Sequence, residues 1–142
     1  MWTCPRCGRR FTRPGQSHAC GHYKVQDYVT DKPERGVRLY RQFEHLVLSI
    51  GKVELAPAKT RIGFQNRRIF VAVNRIGIDH LDIHIVTSQP IEGPRVRRHE
   101  VLDETCCVNR LRIQSLEEMD DQLLGWLRQG YAWGEAALKT GE

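Results

Sequence analysis

The spacing of apolar residues changes period along the chain. Val37, Leu39, Tyr40, Phe43, Leu46, Val47 and Ile50 recur mostly at helical intervals, and Gly51 is a natural stop behind them. Asp31 is placed to cap this helix, and Pro33 sits near its first turn, where proline is tolerated. Residues 24–33 read as a linker leading into it. The period then falls to two. Arg61–Gln65, Arg68–Arg75, His80–Thr87 and Cys106–Ile113 read as strands, with Asn66-Arg67 and Gly77 marking turns. Gln89–Pro94 is a loop by composition, and residues 95–102 fit either a further strand or irregular chain. Ser115-Leu116-Glu117-Glu118 has the spacing of a capping box. It opens a helix whose Met119, Leu123, Trp126, Leu127 and Tyr131 share one apolar face.

This order predicts an α+β protein. A small N-terminal zinc knuckle (1–24) is followed by a linker and helix start (25–36). A two-layer α+β domain (37–138) completes the chain, with an antiparallel sheet of four or five strands flanked by an N-terminal and a C-terminal helix. The helices cover one sheet face and the other meets water. Along His80–Ile85 the apolar Leu81, Ile83 and Ile85 point inward, which puts His80, Asp82 and His84 on the outer face. By the same alternation Arg110 and Arg112 point outward, joined by Arg61 and Gln65.

Charge sharpens the picture of the N-terminus. Of the 22 basic residues in the 142-residue chain, Arg6, Arg9, Arg10, Arg13 and Lys24 fall in the first 24 positions, where no acidic residue occurs. The other 118 positions balance, so the formal charge of +5 belongs to the finger segment. That asymmetry points to an anionic partner for it. A second basic run, Lys59, Arg61, Arg67, Arg68 and Arg75, contains no carboxylate. The acidic Glu117, Glu118, Asp120 and Asp121 lie where a helix dipole favours negative charge.

Cys4-Pro5-Arg6-Cys7-Gly8 has the chemistry of a zinc knuckle: two thiolates, two residues apart, can reach one ion while the backbone turns tightly around it. The second pair of ligands comes from His18, Cys20 and His22. Cys4, Cys7, His18 and Cys20 are the preferred set, with His22 as the alternative for one of the last two. A thiolate-rich set without a neighbouring general acid or base describes a closed, structural site. The spacing departs from that of the zinc fingers that read DNA sequence with two cysteines and two histidines. Pro14-Gly15 also interrupts the segment where a recognition helix would begin. Contact with phosphates through the arginines, or docking on a protein, is what remains.

The rest of the chain shows no nucleophile elbow, phosphate-binding glycine loop or dinucleotide fingerprint, so no catalytic residue is assigned. His80, Asp82 and His84 could hold a second metal ion, and Arg61, Arg110, Arg112 and the Arg67-Arg68 turn could bind an anion. The default for such a face is simple solvation. Exposed aromatics for base stacking are lacking. Cys106 and Cys107, adjacent in one strand, must point to opposite faces, and inert thiols are the default for both.

Trp2-x-Cys4-Pro5-x-Cys7-Gly8-Arg9-x-Phe11 followed by Gln16-x-His18-x-Cys20 resembles the N-terminal finger of an uncharacterised bacterial family. Its larger domain is a domain of unknown function, loosely labelled a predicted transport protein. Lys59-x-x-Ile62-x-Phe64 and Trp126-Leu127-x-x-x-Tyr131 are similar to features of that larger domain. The resemblance favours His18 and Cys20 over His22 as ligands and implies no activity. No apolar run approaches the roughly 18 residues that span a bilayer, so transport across a membrane is not expected.

The sequence thus leads to the expectation of a cytoplasmic, non-catalytic zinc-binding module with no membrane partner, binding nucleic-acid backbone through its basic finger. A protein-interaction adaptor with a purely structural zinc is the first alternative. An enzyme or small-ligand binder using the polar sheet face is the second.

Overall fold

The computed structural model describes residues 2–3, 10–11 and 24–136. Two short strands at the N-terminus, β1 (Trp2–Thr3) and β2 (Arg10–Phe11), pair antiparallel. The stretch read as a linker holds a short helix, α1 (Val25–Val29). The long helix α2 (Glu34–Leu48) starts behind Pro33, which serves as its N-cap residue in place of Asp31. Six strands follow: β3 (Glu54–Pro57), β4 (Ile62–Gln65), β5 (Ile69–Ile76), β6 (Leu81–Thr87), β7 (Val96–Asp103) and β8 (Cys106–Ile113). They form one antiparallel sheet in the order β3-β4-β5-β6-β8-β7, and α3 (Asp121–Glu135) closes the described chain.

The sheet therefore has six strands rather than four or five. Residues 95–102 resolve into β7, and β3 is the strand that periodicity did not announce. It is four residues long and ends in Pro57, which cannot donate to a ladder and suits only an edge. The capping box is real, but local. The Glu118 carboxylate accepts from the Ser115 N–H at 3.1 Å and closes only a 3-10 turn, Leu116–Glu118. The α-helix begins one turn later, where the Asp120 carboxylate accepts from the Leu123 N–H at 3.0 Å.

The core lies between the helices and one face of the sheet. Leu39, Phe43 and Val47 of α2 and Leu123, Trp126 and Leu127 of α3 pack on Ile62, Phe64, Val71, Val73, Ile83, Ile85 and Leu111. Phe43 meets Phe64 edge-on with centroids 6.0 Å apart, and Phe70 meets Tyr131 in the same way at 5.6 Å. Phe70 joins the core beside its neighbour Val71 because the ladder slips there: Phe64 pairs with Val71 but Gln65 pairs with Ile69. At the top of α2, Gly36 runs against the carbonyl of Gly77, too close for any side chain at position 36. The loop 88–95 is held by Asn109, fully buried, whose side-chain oxygen accepts from the Ile91 N–H and whose amide donates to the Ile85 carbonyl.

The outer sheet face as candidate functional site

The face away from the helices is not uniformly open. Register places Ala56, Gly63, Ala72, His84, Arg110 and Arg98 in one row across all six strands. Ala56, Gly63 and Ala72 are buried, and so is Gln65, which leaves the sheet on this same side. The Gln65 amide donates to the Arg10 carbonyl at 2.9 Å, and Arg10 forms an ion pair with Glu54, the cross-strand neighbour of Gln65. Strand β2 thus lies over the outer face at its β3–β4 end. The expectation of a face wholly in water is corrected here: small side chains on three strands leave room for a covering layer.

The other half is a shallow cleft of guanidinium groups. Arg75, Arg97, Arg98, Arg110 and Arg112 line it together with Asn74 and Asp82. Arg112 grips Asp82 with two bonds, Nε to Oδ1 at 2.8 Å and Nη2 to Oδ2 at 3.3 Å. Arg110 donates to the Glu100 carboxylate at 2.6 Å, and this bond more than any other influence lowers the Glu100 pKa. Arg75, Arg97 and Arg98 are exposed, and among the described residues no carboxylate pairs with them.

Two ladder slips build this cluster. On β5 the pairing passes from Val73–Ile83 to Arg75–Asp82, so Asn74 is an extra residue; on β7 it passes from Val96–Leu111 to Arg98–Arg110, so Arg97 is extra. At each slip two consecutive residues border the same cleft, which regular alternation forbids. Asn74, Arg97 and Arg98 were invisible to strand periodicity for that reason.

His84 sits between the two halves. It is 9% exposed, and its Nδ1 lies 2.9 Å from the Asn74 side-chain amide, whose N–H donation fits a neutral ring protonated at Nε2. Burial, with added repulsion from Arg61 and then Arg110, lowers its pKa from 6.5 to about 4. Arg61 precedes β4 and is exposed. His80 stands just before β6 rather than in it, its ring against Gly77 and its Nε2 3.6 Å from Asp82. With Asp82 held by Arg112 and His84 by Asn74, the three do not converge: no group of three or more metal-ligating side chains occurs among the described residues.

Cys107 is buried and Cys106 half-buried, on opposite faces, and burial raises both thiol pKa values. Arg68 stacks on Trp133 at 3.5 Å and donates to its carbonyl, which gives one member of the basic run a structural task. Lys24 is exposed at the start of α1. Cys4, Cys7, His18, Cys20 and His22, and with them Arg6, Arg9 and Arg13, lie outside the described residues.

No helix among the described residues is long and apolar enough to cross a membrane. No curated protein and no solved structure gives a significant match to the chain. One family does, over residues 25–133, the span from α1 almost to the end of α3. On that match the chain belongs to the family described as a domain of unknown function, DUF5655.

Proposed function

We propose that the protein is a non-catalytic module that binds nucleic-acid backbone, with its basic N-terminal segment stapled by zinc and laid along the outer sheet face. The observation that carries this reading is the attachment of β2. Through Gln65 and Glu54, Arg10 is fixed on the same face as the five-arginine cleft. The basic segment and the cleft then form one cationic surface instead of two unrelated ones. Strand spacing of about 4.8 Å makes the distance from β4 to β7 roughly 20 Å, enough to follow several phosphates along one strand of nucleic acid.

Cys4, Cys7, His18 and Cys20 are the proposed zinc ligands. The pairing of Trp2 with Phe11 and Thr3 with Arg10 supports them, since it draws together the chain on both sides of the Cys4–Cys7 pair. Zinc here supplies cross-linking of a segment too short to fold alone. The predominance of arginine on the surface, and the absence of any catalytic constellation in the sequence, favour binding over chemistry.

The test is fluorescence anisotropy of the full chain with mixed-sequence duplex DNA and single-stranded RNA, at low and moderate salt. Binding should weaken steeply with salt, and Arg6, Arg9 and Arg13 changed together to Glu should reduce it at least tenfold. Metal analysis should give one zinc per chain, lost when Cys4 and Cys7 become Ser. Absence of binding to either nucleic acid at low salt rejects the reading.

A further inference from the structure

We infer that the cleft between β5 and β7 is a phosphate-binding site in its own right, made for a group with more charge than a backbone phosphodiester: a diphosphate or a terminal phosphate monoester. It rests on the reading above in using the arginines of the same cationic face, but its test with a small anion can fail separately.

Of the five guanidinium groups that border one depression, Arg112 is paired with Asp82 and Arg110 with Glu100, which leaves the charges of Arg75, Arg97 and Arg98 uncompensated among the described residues. Like charges crowded in this way repel one another, and a multiply charged anion removes the cost. All five cations of the cleft are arginine, although lysine would solvate a sheet face equally well. Arginine presents a planar fork that matches two oxygens of a phosphate, whereas lysine offers a point charge.

Both walls of the cleft carry a ladder slip, and each slip brings a polar residue to it that a regular strand would direct elsewhere: Asn74 on one side, Arg97 on the other. Bulges of this kind re-aim side chains beside binding sites. Two of the cations are already oriented. Arg110 and Arg112 are held in place by Glu100 and Asp82, while Arg75, Arg97 and Arg98 keep their donors free of carboxylates among the described residues. Two guanidiniums oriented by carboxylates, with three available ones at the rim, describe a cradle into which an anion settles with little reordering.

The experiment is calorimetric titration of the full chain with inorganic pyrophosphate at neutral pH and low salt. Saturable one-to-one binding is expected, weakened at least tenfold by Arg97→Ala with Arg98→Ala, and by Arg75→Ala separately. Arg128→Ala, an exposed arginine on α3, should leave it unchanged. These rim positions are exposed, so the variants should keep the thermal midpoint of the parent, which a melting curve verifies. A parallel arm compares an oligonucleotide carrying a 5′-phosphate with its 5′-hydroxyl twin. A preference for the phosphorylated strand, lost in the Arg97/Arg98 variant, identifies a nucleic-acid end as the source; equal affinity with retained pyrophosphate binding identifies a free diphosphate. No pyrophosphate binding, or binding that the rim variants leave intact, overturns the inference even if duplex DNA binds through the finger.

Discussion

The two halves of the outer sheet face are built from the same antiparallel ladder and do opposite things. On β3, β4 and β5 the row carries Ala56, Gly63 and Ala72, all buried. On β6, β8 and β7 the same row continues with His84, Arg110 and Arg98, and the arginines are exposed. Side-chain size decides the difference. A stretch with no more than a methyl group per residue lets another backbone approach, and Gln65 supplies the hydrogen bond that holds β2 there. A stretch of guanidiniums leaves no such room for a second backbone, and its bulky side chains stay exposed. One half seats β2, and the other is a cleft lined by arginines.

The sharpest way to break this contrast is to move an arginine across it. Ala72→Arg places a guanidinium one strand away from His84, on the buried side. With no partner and no room it should cost about 3 kcal/mol or more in urea denaturation. Arg110→Ala, in the same row but on the exposed side, should leave stability almost unchanged. If the two substitutions cost the same, the halves do not differ as described.

A second test uses the histidine at the boundary. The pKa of His84 is about 4 in the folded protein and near 6.5 when unfolded, so the unfolded chain takes up the proton first. The His84 contribution is therefore intact above pH 6.5 and is lost as the pH falls toward 4. Over that window the loss is on the order of 3 kcal/mol, since each pKa unit corresponds to about 1.4 kcal/mol. His84→Gln, which can still accept from Asn74, should flatten this part of the stability-pH curve. An unchanged slope places the titration elsewhere.

How much of this is legible in the sequence follows from physical cause. Helix α2, most of β4, β5, β6 and β8 and the apolar face of α3 are readable because burial on one side imposes a period. Strand β3 escapes because four residues ending in Pro57 carry no period at all. The placement of Asp82, Arg110 and Arg112 on one face is also readable, because each lies on a regularly paired stretch of β6 and β8. Arg97 and Arg98 are not, since a bulge is a property of the pairing and leaves no mark on a single strand. The Ser115–Glu118 spacing announces the local bond correctly and the helix start wrongly, because the same spacing serves a 3-10 turn.

The smallest expected effect isolates the bond that seats β2. Gln65→Ala removes a buried donor and leaves the Arg10 carbonyl to find water or remain unpaired. The cost should be about 1–2 kcal/mol, the usual range for a buried hydrogen bond broken from one side. Its distribution matters more than its size. If the seat is local, amide hydrogen exchange should rise at Thr3, Arg10 and Phe11, while Phe64, Val71 and Ile83 in the core stay protected. Binding of pyrophosphate to the arginine cleft should persist, because Gln65 does not line it. Nucleic-acid affinity should fall several-fold, since the basic segment would lose its fixed position beside the cleft. Loss of core protection would instead make Gln65 part of the fold itself, and the two halves of the face would then be one cooperative unit.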